Sequence, residues 1–191
     1  MLTGKANRNG RVTGRVILDL CSGTGAWSAP YVAAGYDVRR ITLPEVDVRE
    51  YPYPGPVHGL LAAPPCTVFA SSGARWARTP EQIREALAVV DACLRCVALC
   101  QPTWWALENP VGTLRRWLGP PRLKFDPCDY GDPYTKRTLL WGRFRRPVPL
   151  ALSVLPEARS RIHWMAPGAE RAALRAITPP GFAQAFFEAN P

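Results

Sequence analysis

Three short stretches carry side chains able to do chemistry. In "LLAAPPCTVFASSG", Leu60 to Gly73, an apolar run ends in two prolines and a cysteine, Cys66. Proline fixes its own backbone φ, so the thiol that follows is held in one direction. A thiol placed in this way can serve as a nucleophile once deprotonated, although plain loop packing uses the same residue type. In "WWALENP", Trp104 to Pro110, a second apolar run ends in Glu108 and Asn109. A carboxylic acid at a strand end facing the same crevice as a thiol makes a nucleophile–acid pair; structurally, the two residues can merely organise a turn. In "DLCSGTGAWS", Asp19 to Ser28, Gly23 and Gly25 let the backbone approach a nucleotide-type ligand, and a tight turn needs glycine as well. The ribose of such a ligand is usually met by a carboxylate about 20 residues further on. Glu45 and Asp47 lie near that distance.

Other candidates are weaker. "CLRCVALC" offers Cys93, Cys96 and Cys100 as metal ligands. Yet Ala86, Cys93 and Cys100 are spaced by sevens, as are Ile83, Val90 and Val97, so these thiols share one apolar helical face. No histidine or second cysteine pair stands at zinc-like spacing, and no metal is expected. His58 and His163 are the only histidines, and neither has a partner at catalytic spacing.

The elements that must position these residues alternate. "RVILDL" reads as a buried parallel strand entering the glycine loop. "APYVAAG" reads as a short helix ending at Gly35. "YDVRRITL" and "VHGLLAA" follow as strands. The helix of "TPEQIREALAVVDACLRCVALC" is the clearest: Thr79 caps it, Pro80 takes its first position and Gln82 completes a capping box. "WWALEN" and "TLLWGRF" are strands, and "PPGFAQAFFEA" is a terminal helix. This pattern predicts an α/β fold, mainly parallel, in which ligands gather at the carboxyl ends of the strands.

The chain has 191 residues, which suits one domain with a sizeable core. Its formal net charge of +9 favours an acidic partner, above all nucleic acid. Basic pairs such as Arg115–Arg116, Lys136–Arg137 and Arg145–Arg146 suit phosphate contacts, though a solvated face uses them too. The first 14 residues are polar and Gly-rich and read as a flexible arm; they hold no apolar core of a signal peptide. No apolar run reaches membrane-spanning length. A cytoplasmic protein with reduced thiols is the expectation.

Taken in order, "DLCSGTGAW", "APPCTVFASSG", "ALENPVG" and "YGDPYTKRTLLWG" resemble the motifs of DNA cytosine-5 methyltransferases. The resemblance covers residues 15 to 142, with a fainter echo at the C-terminus. It implies a class I, Rossmann-like methyltransferase fold over residues 15–191, binding S-adenosylmethionine and releasing S-adenosylhomocysteine. It makes Cys66 the nucleophile toward cytosine C6 and Glu108 the group that protonates or hydrogen-bonds N3. It assigns Asp19, Cys21, Ser22, Gly23, Thr24, Gly25, Trp27, Asp47, Val48 and Pro65 to the methyl-donor pocket. Pro65, Ser71, Ser72 and Asn109 fall on the substrate side, with Asn109 supporting the loop that carries Cys66.

The chain departs from the family pattern in four places. Leu43 stands where the family has its ribose carboxylate, with Glu45 as a substitute nearby. "YTKRT" replaces the basic motif, leaving Lys136 and Arg137 to share its catalytic task. "ITPPGF" replaces the closing motif and makes Thr178 the donor-site candidate. Only about 35 residues lie between Gly142 and Thr178, too few for a separate target-recognition domain. The expectation is therefore a compact phage or bacterial enzyme, favoured as a monomer, acting on a cytosine flipped from duplex DNA with short or relaxed specificity. Two alternatives stay open: the same chemistry on RNA or a free cytosine nucleotide, and a non-catalytic nucleic-acid-binding module.

Overall fold

Each apolar run that stops at glycine or proline becomes a strand ending in a loop. The computed structural model describes residues 15–52, 54–73, 77–151, 168, 174 and 176–191. The first 14 residues, expected to be an arm, and most of the segment between Gly142 and Thr178 lie outside these. In chain order the elements are β1 (Val16–Leu20), α1 (Ala29–Ala33), β2 (Asp37–Ile41), β3 (Gly59–Ala62) and α2 (Pro80–Cys100). They continue with β4 (Trp104–Pro110), α3 (Arg115–Leu118), β5 (Leu123–Phe125), β6 (Thr138–Arg143) and α4 (Pro180–Ala189).

Six strands form one mixed sheet in the order β2-β1-β3-β4-β6-β5. Pairings β1–β2, β1–β3 and β3–β4 are parallel, whereas β4–β6 and β5–β6 are antiparallel. The parallel sheet expected from the alternation thus extends only as far as β4. Beyond it the strand–helix rhythm fails: only the four-residue α3 precedes β5, and a meander without a long crossover helix pairs antiparallel. β5 itself carries too short a pattern to be seen in sequence.

Side-chain alternation along the strands builds two cores. Leu18, Leu20, Leu60, Ala62 and Leu107 face α2 and meet Val90, Cys93, Cys96 and Cys100. Ile17, Leu61, Ala106 and Leu140 face the opposite way and meet Trp27, Tyr31, Phe182 and Phe186. The cysteines of α2 are therefore core residues, as their helical spacing predicts. The capping box of Thr79 and Gln82 is present at the start of α2, with Pro80 in the first turn. The second core is aromatic: Phe125 stacks on Phe182 at 3.8 Å and Trp27 meets Phe186 edge-on at 5.4 Å. Tyr31 ties it to the C-terminal segment by donating to the Asn190 carbonyl at 2.8 Å.

Candidate functional site

The parallel register of β1, β3 and β4 sets the carboxyl ends of these strands side by side. Leu20 pairs with Ala62, and Ala62 with Leu107. The three chemistry-bearing loops leave from these neighbouring ends, where an open α/β sheet binds its ligands.

The glycine loop is fixed from below and from the side. Asp19 is 1 % exposed and accepts a hydrogen bond from Ser28 Oγ, which also reaches the Gly25 carbonyl at 3.2 Å. Burial pushes the Asp19 carboxyl up to about 6, although Ser28 and the Arg40 guanidinium pull the other way. Arg40 spans the loop, donating to Ser22 Oγ at 3.3 Å and to the Gly23 carbonyl. Gly23 takes a φ of +51°, and a Cβ there would point into open space. Cys21 also has a positive φ, +56°, and its N–H donates to the Ile41 carbonyl at 2.7 Å. Cys21 lies against Cys93, and the hydrogen bond between the two thiols lowers the pKa of Cys21 while raising that of Cys93.

A cavity of about 600 Å³ opens over this loop. Cys21, Gly23, Asp47, Val48, Pro65 and Cys66 all line it, with Ser72 at the far side of the Cys66 turn. Ile41, Val46 and Val89 complete an apolar wall. Its size falls in the range of small-molecule and cofactor pockets. The Asp47 carboxylate is held by Arg49, whose Nε donates at 3.0 Å, and these hydrogen bonds lower its pKa to about 2. The residues fit a nucleoside-type ligand: a glycine backbone that admits close approach, apolar walls for a ring, and one ionised carboxylate to accept hydrogen bonds.

Asp19, Ser22, Thr24, Gly25, Trp27, Glu45 and Thr178 do not contribute to the wall of that cavity. Asp19, Ser22 and Gly25 shape the loop from behind. Thr24 Oγ1 accepts from the Ala26 N–H at 3.4 Å. Trp27 is 3 % exposed because the chain turns it onto Phe182 and Phe186, where a large ring gains more by burial than at a solvent-open rim. Glu45 is exposed beyond β2, and Thr178 is half-buried just before α4, while Ala176 reaches the cavity.

The Cys66 loop is tied to β4 and to the residues just beyond it. Asn109 is fully buried and its Nδ2 donates to the Pro64 carbonyl at 3.0 Å. Past Cys66 the backbone coils once, with the N–H groups of Phe69 and Ala70 donating to the Cys66 carbonyl at 3.0 and 2.8 Å. The Phe69 carbonyl then accepts from the Thr113 N–H at 2.8 Å, and Ser71 N–H donates to the Val111 carbonyl at 2.9 Å. Gly112 is required here: a Cβ would lie 1.8 Å from the Phe69 oxygen.

Glu108 is half-buried on β4, and loss of hydration raises its pKa above the usual carboxylate range, partly opposed by the positive charge of Lys136. Lys136 and Arg137 line a second cavity of about 370 Å³ together with Ser71, Ser72, Pro110 and Asp126. Arg137 pairs with Asp126 at 2.7 Å, whereas Lys136 is the cation that acts on Glu108. Ser72 and Ala70 border both cavities, so the Cys66 turn forms the partition between them.

Some residues of the site have no signal in the sequence. Arg40 is one arginine of an ordinary pair, whereas Leu43, already marked by its place after β2, is an exposed apolar side chain on the cavity rim. Arg78 lines the cavity and donates to the Thr67 carbonyl at 2.9 Å.

No family model matches the chain, and no curated protein matches it. Among solved structures it is similar to an E. coli protein described as a candidate DNA modification methyltransferase encoded within a prophage, at 19 % identity with a TM-score of 0.49. The alignment covers 77 % of this chain and 52 % of that one, so this chain spans about half the length of the structure it matches.

Proposed function

We propose that the chain is an S-adenosylmethionine-dependent DNA cytosine-5 methyltransferase in which Cys66 is the nucleophile. The observation that carries this reading is the shared position of Cys66 and Pro65 on the wall that also holds Gly23 and Asp47, next to the strand end bearing Glu108 and Asn109. The parallel strands β2-β1-β3-β4 support the class I methyltransferase reading of the fold.

In this reading Gly23, Cys21, Val48 and Asp47 hold the donor, with the Asp47 carboxylate accepting from its adenine. When bound, the donor supplies an electrophilic methyl group. Cytosine C5 is a poor nucleophile, and the residues of the chain correct that. The Cys66 thiolate forms a bond to C6 while the C5–C6 π electrons shift to C4–C5 and those of C4–N3 move onto N3. Glu108, whose pKa burial raises, gives a proton to N3 and relieves the developing charge. C5 is then electron-rich. After methylation a base removes the C5 proton, the C5–C6 double bond re-forms, and Cys66 leaves as thiolate. Lys136 beside Glu108 lowers its pKa and so favours release of that proton to N3.

The test uses an oligonucleotide containing 5-fluorocytosine, whose C5–F bond blocks the elimination step. With methyl donor present, the expected product is a denaturation-resistant protein–DNA adduct, absent in Cys66→Ala. No adduct in any cytosine context, or one that persists in Cys66→Ala, refutes the assignment. Methyl transfer to RNA or dCMP at equal or higher rate than to DNA would move the substrate away from DNA.

A further inference from the structure

A third concavity, of about 480 Å³, lies behind the Cys66 turn, between residues 68–71 and the segment 111–117. Its chemistry differs from that of the other two. Trp117 forms one wall and is 47 % exposed, the only large aromatic side chain left so open among the described residues. Arg78, Arg115 and Arg116 stand around it, and among the described residues no aspartate or glutamate lines it. Arg115 and Arg116 are exposed at the surface. An indole face flanked by guanidinium groups binds unstacked bases and the phosphates that join them.

The groove is also coupled to the reacting loop. The Trp117 ring meets Phe69 edge-on at 5.8 Å, and Phe69 lies three residues after Cys66. Through Thr113 the groove floor is hydrogen-bonded directly to the Phe69 carbonyl, against which Gly112 packs closely. A nucleotide stacked on Trp117 would therefore sit at a fixed offset from Cys66.

We propose that Trp117, with Arg115 and Arg116, is a stacking platform for a single-stranded nucleotide flanking the target cytosine in DNA. It gives the chain a hold on the strand beside the extruded base. The inference rests on the DNA reading of the Cys66 site, and its test separates the two.

The experiment measures binding of a fluorescein-labelled single-stranded DNA oligonucleotide with one cytosine, by anisotropy, without methyl donor. Abasic sites replace the neighbouring nucleotides one at a time. Trp117→Ala should weaken binding by about 10-fold or more, the size of one lost base stack, and Trp117→Phe should retain most of the affinity. One abasic position should weaken the unmodified protein by the same factor and have no further effect in Trp117→Ala. Replacing Arg115 and Arg116 by Gln should lower the slope of log Kd against log salt by about 0.7 for each phosphate no longer neutralised. Unchanged affinity in Trp117→Ala, absence of any sensitive abasic position, or additive losses would overturn the platform. So would tighter Trp117-dependent binding of the same sequence as RNA. Because no methyl transfer is involved, an intact adduct with no base dependence refutes the platform alone. Base-dependent binding without an adduct refutes the catalytic reading alone.

Discussion

Replacing Asp19 by asparagine tests how the floor of the glycine loop is built. In the folded chain the carboxyl is 1 % exposed and burial raises its pKa from 3.8 to about 6. The folded state therefore binds more protons than the unfolded state between those two values, and stability falls as pH rises through that window. At about 1.4 kcal/mol per pH unit, the full gap amounts to roughly 3 kcal/mol, present as a penalty at neutral pH and absent well below pH 4. The amide of an asparagine cannot ionise but can still accept from Ser28, as the neutral carboxyl does at low pH, and the raised pKa already includes the Ser28 bond to the ionised form. D19N should thus be near wild-type stability at about pH 4 and more stable by roughly 3 kcal/mol at pH 7. Urea denaturation of both proteins across that range reads the difference directly. Taking the difference cancels the raised Glu108 and lowered His58, which both proteins share. A difference that stays flat with pH, or that favours the wild type increasingly as pH rises, would refute the account of Asp19 as a charge held against its own desolvation.

Three further outcomes follow from the site. Glu108→Gln should lower kcat by about 10²- to 10⁴-fold, as expected for loss of a general acid. It should also remove the alkaline fall in rate expected from deprotonation of Glu108 in the wild type, which a pH–rate profile detects. Asp47→Asn should weaken S-adenosylmethionine binding by about tenfold in calorimetry, the scale of a hydrogen bond to a charged group. With its pKa near 2, Asp47 stays ionised through the neutral range, so that effect should not change between about pH 6 and pH 8. Gly112→Ala drives a methyl group into the Phe69 carbonyl, and should cost about 1–3 kcal/mol in thermal or urea unfolding and slow adduct formation by Cys66.

How much of this was legible in the sequence depends on the range of the signal. β1, β3, α2 and β4 were readable because each is specified locally, by an apolar run, a cap or a turn. Gly23 and Cys66 lie on the loops after β1 and β3, and Asn109 lies near the end of β4, so their place at the strand ends was readable too. What was missed depends on register. Arg40 reaches the glycine loop only because β2 pairs with β1, placing it opposite Asp19. Trp27 follows the glycine loop by two residues, yet the turn before α1 sends it to the opposite core. Trp117 sits on a four-residue helix with no periodic pattern, and nothing in its neighbours announces that Phe69 will meet it.

The same long-range contacts bear on how the site works as a unit. Ala70 borders all three concavities: the one over the glycine loop, the one holding Lys136 and Arg137, and the one lined by Trp117. The turn that contains it is held before Cys66 by Asn109 and after Cys66 by Gly112, Thr113 and Val111. These anchors belong to β4 and to the residues just beyond it. A shift of the Cys66 turn alone would break several backbone hydrogen bonds, each worth about 1 kcal/mol net and more where a buried partner is left unmet. Movement that keeps those bonds must carry the 111–117 segment along with the thiol. Occupancy at Trp117 and the position of Cys66 are then linked mechanically, with Gly112 as the point where that link is tightest.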